Sequence, residues 1–209
     1  MTGKIYQALF FMLPEAIKKF VEIFSALPSI GTRQAIRLAF KMIAGGRAKI
    51  EETAKAIADL KHLKICRECF FIHSNKGDLC DICANPQRKQ SIVMIVEKET
   101  DLISIERTKK FNGRYLILGS LTKTGVLESI QKLRLSHLKN RVKKEMGQAE
   151  EIILAFNPTT YGDLNTSIII KELDGAAKKI SRLGRGIPIG GEIEFADEET
   201  LGQSLERRS

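Results

Sequence analysis

Four cysteines at regular spacing constrain the fold of this chain more than any other feature. They are Cys66, Cys69, Cys80 and Cys83, so two C-x2-C pairs are separated by ten residues. Paired C-x2-C motifs suit a tetrahedral Zn²⁺ held by four thiolates, which leaves no open catalytic position. Two disulfides or free thiols are the alternatives, and a cytoplasmic chain seldom keeps disulfides. The spacing predicts one structural zinc ion per chain, and His73, which lies between the pairs, is not expected to be a ligand.

The segment that carries the four cysteines is short and has little hydrophobic core of its own. We therefore expect the metal to supply much of the folding energy of this four-cysteine zinc finger.

The sequence before the cysteines has the pattern of two helices joined by a tight turn. Proline in the first turn opens the first helix, and Leu27-Pro28 ends it. Apolar residues repeat at helical spacing in both helices: Ile17, Phe20, Val21 and Phe24, then Ala35, Leu38, Ala39 and Met42. Gly31 is expected to supply the positive φ of the turn, and Thr32 to cap the second helix.

A helix-hairpin-helix of this kind directs free backbone N–H groups outward, and such a helix N-terminus binds phosphate. Arg33 and Arg37 lie four residues apart on the second helix, so they share a face. The stretch predicts DNA binding through Gly31, Arg33 and Arg37. The alternative is an ordinary helical hairpin whose turn merely requires glycine.

The overall charge supports a polyanionic partner. The chain carries a formal net charge of +9, and its apolar fraction of 43% is sufficient for a folded core. The positive charge favours nucleic acid over a membrane as the partner. The alternative is a basic surface that binds no partner. The chain has no tryptophan and only 6% aromatic residues, so it offers few side chains on which single-stranded bases could stack. The apolar run Ala8–Leu13 is too short to span a bilayer, so we expect it to form or extend a buried helix and the protein to be cytoplasmic.

The remainder of the chain alternates between strands and helices. A third helix is predicted over 50–63 with Ala54, Ile57 and Ala58 inward, and it leads into the cysteines. After Asn85-Pro86, strands are predicted at 91–97, 114–118, 151–156 and 179–183, and helices at 102–108, 127–146 and 166–173. The helix at 127–146 is rich in Lys and Arg. This alternation predicts an α/β domain with a mostly parallel sheet.

Functional groups in such sheets gather at the carboxyl ends of the strands. Those ends carry Glu97, Asp101 and the loop 157–163. A phosphate-binding G-x-x-x-x-G-K-[ST] motif does not occur in the sequence, so an ATP site is not expected. The glycine-rich and acidic tail is expected to be an arm that packs on a neighbouring subunit. The fold class is therefore α+β multidomain, divided into a helical domain at 1–63, the zinc finger at 64–88, the α/β domain at 89–184 and the arm at 185–209.

These parts, in this order, resemble the RecR family of bacterial recombination proteins. The motifs that carry the resemblance are LPSIGTRQAIRLAF, the paired C-x2-C, VEKETDL, NPTTYGD and RGIPIGGEIEFADEETLGQSL. The resemblance implies that the α/β domain is a Toprim domain. It further implies a non-catalytic mediator that forms dimers and ring-like tetramers around DNA, acts with RecO and RecF, and indirectly helps RecA onto gapped DNA. The family's DNA-binding arginines fall on Arg33 and Arg37, and its RecO-gripping positions on Glu97, Asp101, Tyr161 and Asp163.

The sequence departs from the family pattern at several positions. Ser29 and Thr32 replace a glycine and a proline of the usual LPGIGP turn, and Tyr161 stands where the family has glutamate. Asn157 and Thr159 occupy the two aspartate positions at which catalytic Toprim domains bind Mg²⁺. The resemblance thus implies that the chain is not an enzyme. A metal-dependent nuclease or primase and a protein-binding zinc-ribbon adaptor are the alternative functions.

Overall fold

The computed structural model describes residues 12–184, 186–187 and 189–206. They divide into two compact units, the first ending at His62 and the second beginning at Leu63. The helices are α1 Glu15–Ser25, α2 Thr32–Ala44, α3 Gly46–Asp59, α4 Asp81–Ala84, α5 Glu99–Arg107, α6 Ser129–Met146, α7 Thr160–Glu172 and α8 Glu198–Glu206. The strands are β1 Lys64–Ile65, β2 Ile72–His73, β3 Lys89–Val96, β4 Gly113–Ile117, β5 Ala149–Ala155 and β6 Ala177–Arg182. Short 3-10 helices cover Leu60–His62 and Ile193–Phe195.

In the first unit, α1 and α2 pack against each other around a small apolar core. The core consists of the buried residues Ile17, Val21, Ala35 and Ala39, which the helical spacing placed on the inward faces. Small alanines on α2 allow the two helix axes to approach closely.

The turn between these helices differs from the prediction. The residue with positive φ is Ser29, at 65°, whereas Gly31 has an extended conformation with φ −84°. Thr32 is the first residue of α2, and its side chain makes no capping hydrogen bond. The predictions for Gly31 and Thr32 were therefore wrong. The left-handed conformation falls two residues earlier, where the turn N–H of Ile30 bonds back to the carbonyl of Leu27.

The third helix also differs from the prediction. It begins at Gly46, with only Gly45 between it and the end of α2, and Gly46 has φ 81°, a left-handed conformation that glycine adopts readily. None of its residues is buried, and Ile57 is 50% exposed. Ala54 and Ile57 do face α1 and α2, since they line an apolar cavity with residues of both helices, but they are not buried, and Ala58 does not line this cavity.

The second unit is built on a four-stranded parallel sheet in the order β4-β3-β5-β6. The central strands β3 and β5 alternate side chains between two separate cores, as β-strand geometry requires. One core contains Val93, Ile95, Ile152 and Leu154, together with the apolar faces of α6 and α7. The other contains Met94, Val96, Tyr115, Ile117 and Leu102 of α5.

The cysteine segment covers this second face of the sheet. Cys66, Cys69, Cys80 and Cys83 belong to the same buried cluster as the side chains of β3 and β4. The segment also covers the edge strand β4, because the N–H of Ile117 donates to the carbonyl of Cys69 at 2.9 Å. An edge strand with unpaired backbone groups invites association with other chains. The cysteine segment thus protects a vulnerable edge.

The helix that follows β5 is longer than predicted. It begins at Thr160, six residues before the predicted start, because the hydroxyl of Thr159 accepts the N–H of Gly162 at 3.1 Å and caps the first turn. The expectation for Ala8–Leu13 lies mostly outside the described residues. Within the part of the chain that is described, no helix combines the length and apolarity needed to cross a membrane.

Candidate functional site

The four cysteines converge on one point. Their sulfur atoms all lie within 4.8 Å of one another, all four residues are buried, and none forms a disulfide. Four sulfurs at about 2.3 Å from a tetrahedral Zn²⁺ would lie about 3.8 Å apart. This donor set, with no further protein group required, can hold a metal ion.

The cluster has the hydrogen bonding expected of a thiolate site. The N–H of Cys80 donates to the sulfur of Cys66 at 3.4 Å, and the sulfurs of Cys69 and Cys80 are 3.5 Å apart. The contact with Cys69 lowers the pKa of the Cys80 thiol and raises that of Cys69, because one sulfur donates and the other accepts as thiolate. The thiolate is the form of cysteine that binds a metal ion.

Two arginines of α6 connect this helix to the cysteine segment. The guanidinium of Arg141 donates to the Glu68 carboxylate at 3.0 Å, and these side chains are only 6% and 16% exposed. Arg134 lies over the ring of Phe70, with its guanidinium carbon 4.7 Å from the ring centroid. The sequence showed a basic helix but gave no sign that these two of its arginines face inward.

The hairpin of the first unit presents an open helix N-terminus. The backbone N–H groups of residues 32–34 have no acceptor within the described residues, since the first backbone bond of α2 runs from Ala35 to Gly31. Arg33 and Arg37 are exposed beside them, and neither guanidinium forms an ion pair in the described part of the chain. Gly31 is also exposed, with open space around its Cα. Free amides and two unpaired positive charges are suited to binding an anion.

The carboxyl ends of β3 and β5 meet at a cleft of about 230 Å³ in the second unit. Glu97 and Tyr161 both line it, together with Asn157 and Thr159. The side chain of Glu97 is 13% exposed and already engaged: it accepts the N–H of Leu121 at 3.2 Å and lies 3.9 Å from the ammonium of Lys98. Among the residues that line the cleft, Glu97 is the one carboxylate, Lys98 and Lys123 are cationic, and the others are uncharged.

The other two predicted partner-binding acids have structural contacts of their own. The carboxylate of Asp101 accepts the backbone N–H of Lys98 at 3.0 Å and so caps the start of α5. Asp163 lies on α7 and forms an ion pair with Arg182 of β6. It lines a neighbouring cleft with Asp197 of the arm, whereas Glu97 and Tyr161 line the first.

The sequence analysis did not predict a polar network formed by Arg88, Glu106 and Tyr115. Arg88 donates to both oxygens of Glu106, and the Tyr115 hydroxyl donates to the same carboxylate at 2.7 Å. The hydrogen bond from Arg88 is the main cause that lowers the pKa of Glu106, and burial raises that of Tyr115. The three residues are separated by up to 27 positions, so no local pattern could have revealed the network.

Comparison with known proteins agrees with this arrangement of sheet and cleft. Residues 91–184 match the model of the Toprim domain, so the second unit contains a Toprim domain. Residues 186–209 match the model of the RecR C-terminal region.

Similar proteins cover nearly the whole chain. The recombination protein RecR of Finegoldia magna is 36% identical over 201 residues, which cover 94% of this chain and 98% of that protein. That of Gloeobacter violaceus is 34% identical over 200 residues, with 94% and 98% covered. That of Frankia alni is 33% identical over 193 residues, with 92% and 95% covered. The chain belongs to the RecR family of recombination proteins.

Proposed function

We propose that the chain is a DNA-binding recombination mediator that grips the sugar–phosphate backbone through its N-terminal hairpin. The observation that carries this proposal is the open N-terminus of α2, where the amides of residues 32–34 and the guanidinium groups of Arg33 and Arg37 have no partner among the described residues. Phosphate is the anion that such an arrangement binds best. Gly31 supports this contact because it places no side chain between the amides and a ligand.

We propose further that the chain acts without catalysis. Two-metal phosphoryl chemistry requires several carboxylates around the ions. In the cleft, the polar side chains at 157 and 159 are neutral, and Glu97 is bound to a backbone amide and a lysine. A Mg²⁺ ion in this cleft would gain only one anionic ligand, and that ligand already lies next to a lysine ammonium. This argues against the alternative of a metal-dependent nuclease or primase.

The ion of the cysteine cluster is proposed to be Zn²⁺, one per chain. Four sulfur ligands in a tetrahedral array favour Zn²⁺ over the hard cations Mg²⁺ and Ca²⁺. Its role is structural, because four thiolates leave no position for substrate. The four divisions at 1–63, 64–88, 89–184 and 185–209 are retained as a proposed domain scheme.

RecO, RecF and further copies of the chain are the proposed protein partners, with RecA affected indirectly. Glu97, Asp101, Tyr161 and Asp163 are the proposed RecO contacts, and Tyr161, which is 47% exposed, supplies an accessible aromatic ring among them. Assembly into a dimer or tetramer around DNA is supported by the arm. Its apolar side chains Ile193 and Phe195 are 69% and 79% exposed, as expected of a segment that packs on another subunit.

The test is a DNA titration with charge-matched variants. The variant R33Q/R37Q removes two positive charges from the hairpin, and K55Q/K61Q removes two exposed lysines elsewhere in the same unit. We expect R33Q/R37Q to weaken duplex binding at least about 10-fold and to lower the salt slope by about 2. K55Q/K61Q should remain within about 3-fold of wild type. Equal effects of the two variants would remove the hairpin from the proposed site.

A further inference from the structure

The long helix α6 presents a second charged surface that the hairpin proposal does not use. The helix contains six basic residues and a single acidic one, Glu145. Its inward side is occupied by apolar residues and by Arg134 and Arg141, whose charges are committed to Phe70 and Glu68. The remaining basic residues are lysines that lie outside this packed surface.

Three of these lysines line up. At about 100° per residue, Lys132, Lys139 and Lys143 fall within roughly 40° of one another around the helix. At about 1.5 Å per residue they extend over about 16 Å of its length. We call these three residues the lysine face. Ser136 and Asn140, which are exposed and uncharged, lie beside it.

The lysine face is positive without internal compensation. Lys132 and Lys143 are exposed, and Lys139 is partly exposed. Lys139 donates to the backbone carbonyl of Glu172 at 2.8 Å, which positions its ammonium and leaves its charge in place. In the described part of the chain none of the three ammonium groups forms an ion pair.

The surface offers charge but no stacking. No Phe, Tyr or Trp occurs in α6, and the ring of His137 packs edge-on against Phe70 with 5.5 Å between centroids. Proteins that hold single strands combine positive charge with aromatic stacking platforms. A row of cations without such a platform instead favours a duplex, whose two backbones present a dense array of phosphates.

We infer that the lysine face of α6, formed by Lys132, Lys139 and Lys143, is a second contact surface for the phosphate backbone of duplex DNA. The inference rests on the proposed DNA-binding function and adds the Toprim domain to the surfaces that carry it. The contact is independent of base sequence, because lysines that bind phosphate groups do not contact the edges of the bases.

The experiment compares two triple variants of the full chain by titration with a fluorescent duplex at several salt concentrations. K132Q/K139Q/K143Q removes the lysine face, and glutamine preserves the helix because its propensity equals that of lysine. The control K76Q/K110Q/K178Q removes three exposed lysines that lie outside α6 in the same unit.

We expect the lysine-face variant to bind the duplex at least about 10-fold more weakly and to lower the salt slope by about 2 to 3. The control variant should stay within about 3-fold of wild type. Equal losses in both variants would show an effect of net charge alone and would overturn the inference, as would unchanged binding of the lysine-face variant.

Two further results separate this inference from the proposed function. If wild type binds DNA and R33Q/R37Q is defective while the lysine-face variant is not, only the inference fails. If wild type itself binds no DNA, the proposed function fails and the inference fails with it. Should the triple variant melt at a lower temperature than wild type, K132Q and K143Q are measured singly, each with an expected weakening of about 3-fold.

Discussion

Removal of the metal ion should destabilise the whole second unit rather than the cysteine segment alone. The cysteines share a buried cluster with β3 and β4, and the carbonyl of Cys69 accepts the N–H of Ile117 on the edge strand. When the ion is lost, the short segment has no core that can hold its shape. Strand β4 then loses its cover, and aggregation through this edge is the expected consequence.

The size of the effect follows from the contacts that the segment makes. Arg141 has a side chain only 6% exposed, and loss of Glu68 would leave its charge buried and unpaired. Removing one partner of a buried ion pair destabilises a protein by about 3–5 kcal/mol. The hydrogen bond to Ile117 adds about 1 kcal/mol. The total of about 4–6 kcal/mol corresponds to a decrease in Tm of roughly 10–20 °C for a chain of this size.

The assay is thermal unfolding followed by circular dichroism, with metal content measured on the same samples. Chelator-treated protein and C80S should both show the lower Tm, and light scattering should rise during heating. The exposed Ser74 of the same segment provides the control S74A, which should match wild type. The variant E68Q should reproduce about 3 kcal/mol of the loss while it retains its metal. An apoprotein that melts within about 2 °C of the metal-bound form would refute this reasoning.

Three further predictions concern single residues. Because Ser29 adopts φ 65°, S29G should stabilise the first unit by about 0.5–1 kcal/mol, which a denaturant titration of the full chain can detect. E106Q should destabilise by about 2–3 kcal/mol, since it leaves Arg88, whose side chain is 13% exposed, without its counter-charge. The hydrogen bond from Arg88 lowers the pKa of Glu106 below 4.5, so its stabilising effect is fully present above that pH and should decline as the pH falls further. Finally, a Cβ on Gly162 would clash with the backbone carbonyl oxygen of Asn157, so G162A should shift the cleft loop and lower Tm, whereas G202A, with open space around it, should not.

Much of the fold could be predicted from the sequence because its signals are local. The spacing of Cys66 and its three partners predicted their convergence, and β-branched runs such as the one in β3 predicted the parallel strands. Membership of the RecR family was also predicted and is confirmed by the comparisons.

The incorrect predictions concern backbone conformation and burial that depend on tertiary contacts. Ser29 rather than Gly31 takes the left-handed conformation, because the position of a turn within a loop depends on how the two helices meet. Ile57 has an inward pattern but remains half exposed, since periodicity shows that a face is apolar and does not show what covers it.

The contacts that matter most for the candidate sites are remote in sequence. Arg141 and Glu68 are 73 residues apart, and no pattern in either segment distinguishes this arginine from the lysines on the outer side of α6. Likewise, the position of Lys98 next to Glu97 in the sequence did not show that the two charges would lie in one cleft. Such pairings depend on which face of the sheet each element covers.

A binding titration with analysis of the same DNA tests the central claim most directly. Wild-type protein is titrated against a labelled gapped duplex at about 50 mM and 200 mM salt, and each sample is then incubated with Mg²⁺ or Mn²⁺ and run on a denaturing gel. The account predicts saturable binding that weakens steeply at the higher salt, with every strand recovered at its original length. Protein that binds no DNA at the lower salt, or that cuts or extends the strands, would contradict it.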